Sequence, residues 1–88
     1  MKQTLLFILQ HIVDHPDDAS VSEASQEGRT ELVIHVHEED MGKVIGKKGR
    51  VIRALRDIVK LMAAKENVYA DVVIAESTNN ESSTNKRI

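Results

Sequence analysis

The stretch "GKVIGKKGRVI", Gly42 to Ile52, decides how this chain folds. Gly46 and Gly49 stand with only Lys47 and Lys48 between them. Val44-Ile45 precede this pair and Val51-Ile52 follow it. Glycine opens backbone conformations closed to other residues and lets a ligand come close with no Cβ in the way. Asp40 is placed to cap a short helix over 41–45, its carboxylate accepting the free amides of the first turn. Gly46 then breaks that helix and Gly49 opens another. The first amides of the second helix lack partners within it and carry the positive end of its dipole, so they favour an anion at the turn. Lys47 and Lys48 add charge there, and a phosphate chain suits such a site.

Nucleotide-binding loops fit poorly. A P-loop needs four residues between its glycines and then Lys followed by Ser or Thr. Here three residues separate Gly42 from Gly46, and Lys48 follows Lys47. The glycines also miss the G-x-G-x-x-G spacing of dinucleotide sites. A plain helix–helix turn needs a glycine but neither paired lysines nor an apolar pattern on both sides.

Outward from the turn, residues 50–65 carry Ile52, Leu55, Ile58, Val59 and Met62 as an apolar stripe, with Arg53, Arg56, Asp57 and Lys60 opposite. "VYADVVIA" (68–75) alternates Val68, Ala70, Val72 and Ile74 against Tyr69, Asp71 and Val73, as a strand does. On the other side, "ELVIHVH" (31–37) turns Leu32, Ile34 and Val36 to one face. A strand candidate around Val21 lies within 17–26, ahead of a turn at Gly28. Residues 3–15 place Leu5, Leu6, Ile8, Leu9, Ile12 and Val13 at helical spacing, and Pro16 stops the run. The order is α-β-β-α-α-β: an α+β fold of two layers, a three-stranded sheet packed on three helices. The polar run 77–88 is expected to be a disordered tail behind a domain of residues 1–76.

The 88-residue chain has no cysteine and a net charge of −2. Disulfides and thiolate metal sites are thereby excluded. The charge is segregated, however. Met41 to Lys65 holds eight basic residues and one acid, while the rest holds four basic and thirteen acidic residues. One positive face on an acidic body follows. The N-terminal apolar run is broken by Gln10, His11 and Asp14 and is too short to span a bilayer. A cytoplasmic protein with no targeting segment is expected.

"VIGKKGRVI" (44–52) between two helices resembles the signature of the KH domain, V-I-G-x-x-G-x-x-I, at every defining position. The helix and strand ahead of it place the resemblance with type II KH domains, over residues 2–76, and the length is similar to that of small single-domain KH proteins of bacteria. The resemblance implies that the loop clamps the backbone of about four unpaired nucleotides. On this chain Gly46, Lys47, Lys48 and Gly49 would hold phosphates. Val44, Ile45 and Ile52 would line or support an apolar groove, with strand 31–37 as its far wall. Gly42 would allow close packing. Position and charge add Lys43, Arg50 and Arg53 as an extension of the charged track. The resemblance also implies self-association, pairing with a larger multidomain KH protein, and a role in RNA regulation, cell length and envelope growth.

Phe7 and Tyr69 are the only aromatic residues, so readers that stack bases on sets of aromatics do not fit. His11/His15 and His35/His37 share a helix face and a strand face, yet neither pair has an evident third ligand. No metal or other cofactor is expected. No nucleophile constellation is present and no catalysis is expected. The leading reading is a non-catalytic binder of single-stranded RNA acting as a chaperone or regulator; single-stranded DNA, differing by the 2′-hydroxyl, fits the same residues. The alternative is a protein-interaction module that binds little RNA on its own.

Overall fold

The computed structural model describes residues 1–75, so the segment expected to be a tail lies outside the described residues. The elements are α1 (Lys2–Ile12), β1 (Ser20–Gln26), β2 (Arg29–His35), α2 (Met41–Ile45), α3 (Arg50–Lys65) and β3 (Tyr69–Ile74). Short 3₁₀ turns occupy Pro16–Asp18, Glu38–Asp40 and Lys47–Gly49. This is the expected α-β-β-α-α-β order, and the α+β class holds.

β2 is the middle strand, antiparallel to β1 and parallel to β3. The β1–β2 hairpin closes through Glu27 and Gly28, both at positive φ (54° and 80°), with Gln26 opposite Arg29. That two-residue turn matches the twist of the flanking strands. β2 alternates as read, Leu32 and Ile34 being wholly enclosed and Val36 nearly so. Leu5 and Leu9 of α1, Val44 of α2, Leu55, Val59 and Ala63 of α3, and Ala70 and Val72 of β3 complete the core.

Two readings need correction. The helix expected over 3–15 stops at Ile12, and Val13 is already extended (φ −89°, ψ 160°). Beyond it the amides of Asp14 and His15 donate to the Asp40 carboxylate instead of to helical carbonyls. In α3 the buried line runs Leu55, Val59, Ala63, while Ile58 is 37% exposed. A small sheet covers only a narrow stripe of the helix, and Ile58 lies one step round from it. α3 ends in a Schellman motif: Val68 N–H donates to Ala63 O (3.0 Å) and Asn67 N–H, at φ 60°, to Ala64 O (3.2 Å). That turn delivers the chain directly into β3.

Candidate nucleic-acid interface

Gly46 ends α2 at φ 79°, ψ 168°, a region open in practice to glycine alone. Its amide donates to Gly42 O at 2.8 Å, closing the helix. A Cβ on Gly46 would lie 2.4 Å from Val51 Cγ2 and 2.7 Å from Val51 N. The loop therefore folds directly against the first turn of α3. Lys48 (φ 57°) and Gly49 (φ 74°) are also left-handed, and Gly49 starts α3. A lysine in that conformation costs on the order of 1 kcal/mol, the kind of local strain that proteins keep at working sites.

The turn uses some of its own amides. Gly49 N–H donates to Gly46 O at 3.0 Å and Arg50 N–H to Lys47 O. The amides of Lys47 and Lys48 meet no backbone acceptor among the described residues. Both lysine side chains are exposed, and no carboxylate pairs with either among the described residues. Arg50 and Arg53 are exposed on the first turns of α3. Two amides, two free ammonium groups and two guanidinium groups thus surround one short turn, an arrangement suited to a polyanion.

The other expected site residues divide. Ile45 is 38% exposed and Ile52 is half-buried beside Gly49, so both present apolar surface at the turn. Val44 is wholly enclosed and supports from below. Lys43 points toward the end of α1, its Nζ 3.5 Å from Asp14 Oδ2 in an exposed pair of little energetic weight. Gly42 is open: among the described residues a Cβ there meets nothing within 4 Å. The expected close packing belongs to Gly46 instead. Gly42→Ala should therefore leave the fold intact and raise stability by roughly 0.5–1 kcal/mol, glycine being the poorer helix former. Thermal melting checks this, and a drop of several degrees would show a contact at Gly42 that the geometry lacks.

β2 is the covered centre of the sheet, and the edge beside α3 belongs to β3. Arg56 crosses to that edge, its Nε donating to Val72 O at 3.1 Å with Asp71 Oδ1 at 3.9 Å. The spacing of 50–65 placed Arg56 on the polar face but gave no sign of this strand contact. Val51 was missed as well, because its role is to fill the space a side chain on Gly46 would need.

Asp40 differs most from expectation. It precedes α2 but makes no side-chain cap to that helix. Its carboxylate is almost fully enclosed and accepts from Asp14 N (3.1 Å), His15 N (2.9 Å) and His15 Nδ1 (3.1 Å). Three donors left by the end of α1 outcompete the local amides, and the residue becomes a rivet between α1 and α2. Burial alone would push its carboxyl up, but the hydrogen bonds from Asp14 and His15 outweigh it and hold the carboxyl below its ordinary value. His15 is raised in turn, first by the hydrogen bond to Asp40 against some desolvation, then by the charges of Asp40, Glu39 and Asp18.

The histidines pair across elements. His11 reaches Phe7 O (2.9 Å) and His35 reaches Ser22 Oγ (2.9 Å). His15 stacks on His37 with centroids 4.1 Å apart, and its Nε2 lies 3.6 Å from Glu39 Oε1. Ligand atoms of His15, His37 and Glu39 fall within 4.8 Å of one another, a trio that sequence spacing could not show. His37 Nδ1 already accepts from Glu39 N at 3.0 Å. No helix among the described residues is long and apolar enough to cross a membrane.

Comparison with known proteins agrees with this architecture. The chain is 49% identical over 67 residues to "RNA-binding protein KhpA" of Clostridium acetobutylicum, covering 76% of this chain and 89% of that protein. It is 46% identical over 75 residues to the protein of that name from Halalkalibacterium halodurans (83% and 99%). The Thermotoga maritima protein of that name is 42% identical over 74 residues (83% and 99%). No solved structure gives a significant match. With the glycine turn seated between α2 and α3, and a family model matching residues 2–74, the chain belongs to the KhpA/KhpB KH-domain family.

Proposed function

We propose that this chain is a non-catalytic binder of single-stranded RNA. The observation that carries this is the Gly46–Gly49 turn, where two exposed lysines and two amides have no carboxylate or backbone acceptor among the described residues. The name of its relatives, "RNA-binding protein KhpA", points the same way. In this reading Gly46 and Gly49 bring the backbone up to the strand, and Lys47, Lys48, Arg50 and Arg53 neutralise phosphates. Ile45 and Ile52 offer aliphatic contact to bases. Val44 supports them, and Lys43 joins the track once it releases Asp14. With three or four phosphate contacts, affinity falls with salt at a log–log slope of about −2 to −3. Single-stranded DNA is the control ligand for the 2′-hydroxyl.

The test is the double change Lys47→Asp and Lys48→Asp. Aspartate tolerates the left-handed conformation at position 48 and suits the start of a helix, so the fold is not penalised. RNA binding is expected to fall by at least about tenfold, as two favourable charges become two repulsive ones. Circular dichroism and Tm stay near wild type. Unchanged affinity in a filter-binding assay would remove the turn from the interface.

The family resemblance extends the proposal to action with a KhpB-like partner or as a homodimer, in RNA regulation, cell length and envelope growth. A second reading, a protein-interaction module with little RNA affinity, is favoured by Leu61 and Phe7, which are 73% and 62% exposed. Nuclease treatment before a pull-down separates the two, because direct protein contacts survive it.

A further inference from the structure

The seam between α3 and β3 leads away from the glycine turn, and its far end holds a second cluster of cationic and aromatic groups. Tyr69 opens β3 and is 72% exposed. Arg29 lies opposite it in register on β2, its guanidinium over the ring at 5.6 Å from the centroid. Lys60, exposed on α3, lines with them a cavity of about 230 Å³. An adjoining hollow, also about 230 Å³, continues under Tyr69 along Ala63, Ala64 and Val68. The one carboxylate in the first cavity, Asp71, is already engaged: it accepts from Val72 N at 2.8 Å and faces Arg56 at 3.9 Å.

We infer that this end of the seam is a second subsite for the same RNA strand, with a base stacked on Tyr69 and phosphates met by Arg29 and Lys60. A tyrosine face stacks any base, and a guanidinium beside it strengthens the site for a polyanion. The apolar floor of Ala63, Ala64 and Val68 lets the base leave water without stranding polar groups. From Arg50 to Lys60, α3 rises about 15 Å. A strand gripped at the glycine turn must span this length to reach Tyr69, so RNAs longer than the four or so nucleotides a KH loop holds are the ones best placed to engage the ring. The subsite rests on the proposed function and adds to it a length dependence and a base-stacking contact that the glycine turn lacks.

Tyr69 is the only tyrosine and the chain has no tryptophan, so intrinsic fluorescence reports on this ring alone. Unlabelled mixed-sequence RNAs of four and of eight nucleotides are titrated into the full chain, with binding measured independently by calorimetry. The eight-nucleotide RNA is expected to quench the tyrosine and the four-nucleotide RNA to leave it nearly unchanged. Tyr69→Ala weakens the longer RNA by roughly 5- to 100-fold and the shorter one not at all, whereas Tyr69→Phe keeps near wild-type affinity. Arg29→Gln and Lys60→Gln each lower the salt slope for the longer RNA by about 0.7. A longer RNA that binds without quenching, or Tyr69→Ala binding both lengths as wild type does, overturns the subsite and leaves the glycine turn standing. Quenching that follows protein concentration without RNA assigns the ring to a contact between copies and also overturns it. If neither RNA binds the wild type, the proposed function itself fails, and the subsite with it.

Discussion

Gly46→Ala is expected to destabilise the domain by about 3 kcal/mol or more, from two costs in one methyl group. The backbone at φ 79°, ψ 168° is closed to alanine at about 1–3 kcal/mol. The new Cβ also meets Val51 at its Cγ2, N and Cβ, all within 2.8 Å, and two of these belong to parts of the residue that cannot swing away. Such overpacking costs a further 1–3 kcal/mol. In a domain of this size each kcal/mol moves Tm by about 4–8 °C, so melting should occur some 15 °C lower. Gly42→Ala, four residues earlier, is the contrast: the same substitution in the short helix that Gly46 ends, with no loss. Equal melting of the two variants would show that Gly46 is not the packed position.

Removing the Asp40 carboxylate should be the next most damaging change. Asp40→Ala strands the amides of Asp14 and His15 and the imidazole of His15 at an enclosed junction. Asp40→Asn is little better, because its amide group turns a donor toward donors. Each variant is expected to lower Tm by roughly 10 °C. Asp14→Asn, which touches only the exposed pair with Lys43, should move it by no more than about 2 °C. RNA affinity at a temperature where the variants remain folded should fall less than in the Lys47/Lys48 double change, since Asp40 acts on the seating of α2 rather than on the strand.

The same junction sets a pH dependence. His15 is raised in the folded state, so its stabilising contribution is complete below its ordinary value of 6.5 and disappears as pH rises through the higher folded value. Asp40 is lowered, so its contribution is complete above its ordinary 3.8 and disappears as pH falls through the lower folded value. Together they favour the interval from about 4 to 6.5. The charges of Glu39 and Asp18 add to that of Asp40 in favouring protonated His15. Tm of the wild type should therefore decline from pH 6 toward pH 9, and the decline should flatten in Asp40→Asn. A wild-type Tm flat across that range would separate His15 from the stability of the junction.

Much of this molecule is readable along the chain because its signals are local. The alternation of Leu32, Ile34 and Val36 is set by the two-residue repeat of a strand, and the burial of all three follows from it. The breaks at Gly46 and Gly49 are conformational demands of the backbone, so the order of elements and the place of the turn can be read without coordinates. The misreadings share a different cause. Asp40 looked like a cap because its neighbours in sequence offer amides; it serves donors 25 and 26 residues away because α1 happens to end there. Ile58 looked like core because periodicity gives a stripe but not its width. Gly42 and Gly46 look alike in a motif, and only the position of Val51 tells which one is packed.

Sequence alone determined the fold class, the glycine turn and the concentration of positive charge around it, since each follows from interactions within a few residues or from composition. The tertiary structure decided which acid rivets the helices, which strand edge faces α3, and that His15 meets His37 while Arg29 meets Tyr69. Those pairings join residues from separate elements. Their energies depend on distances that chain order does not encode, and packing is what brings them within reach.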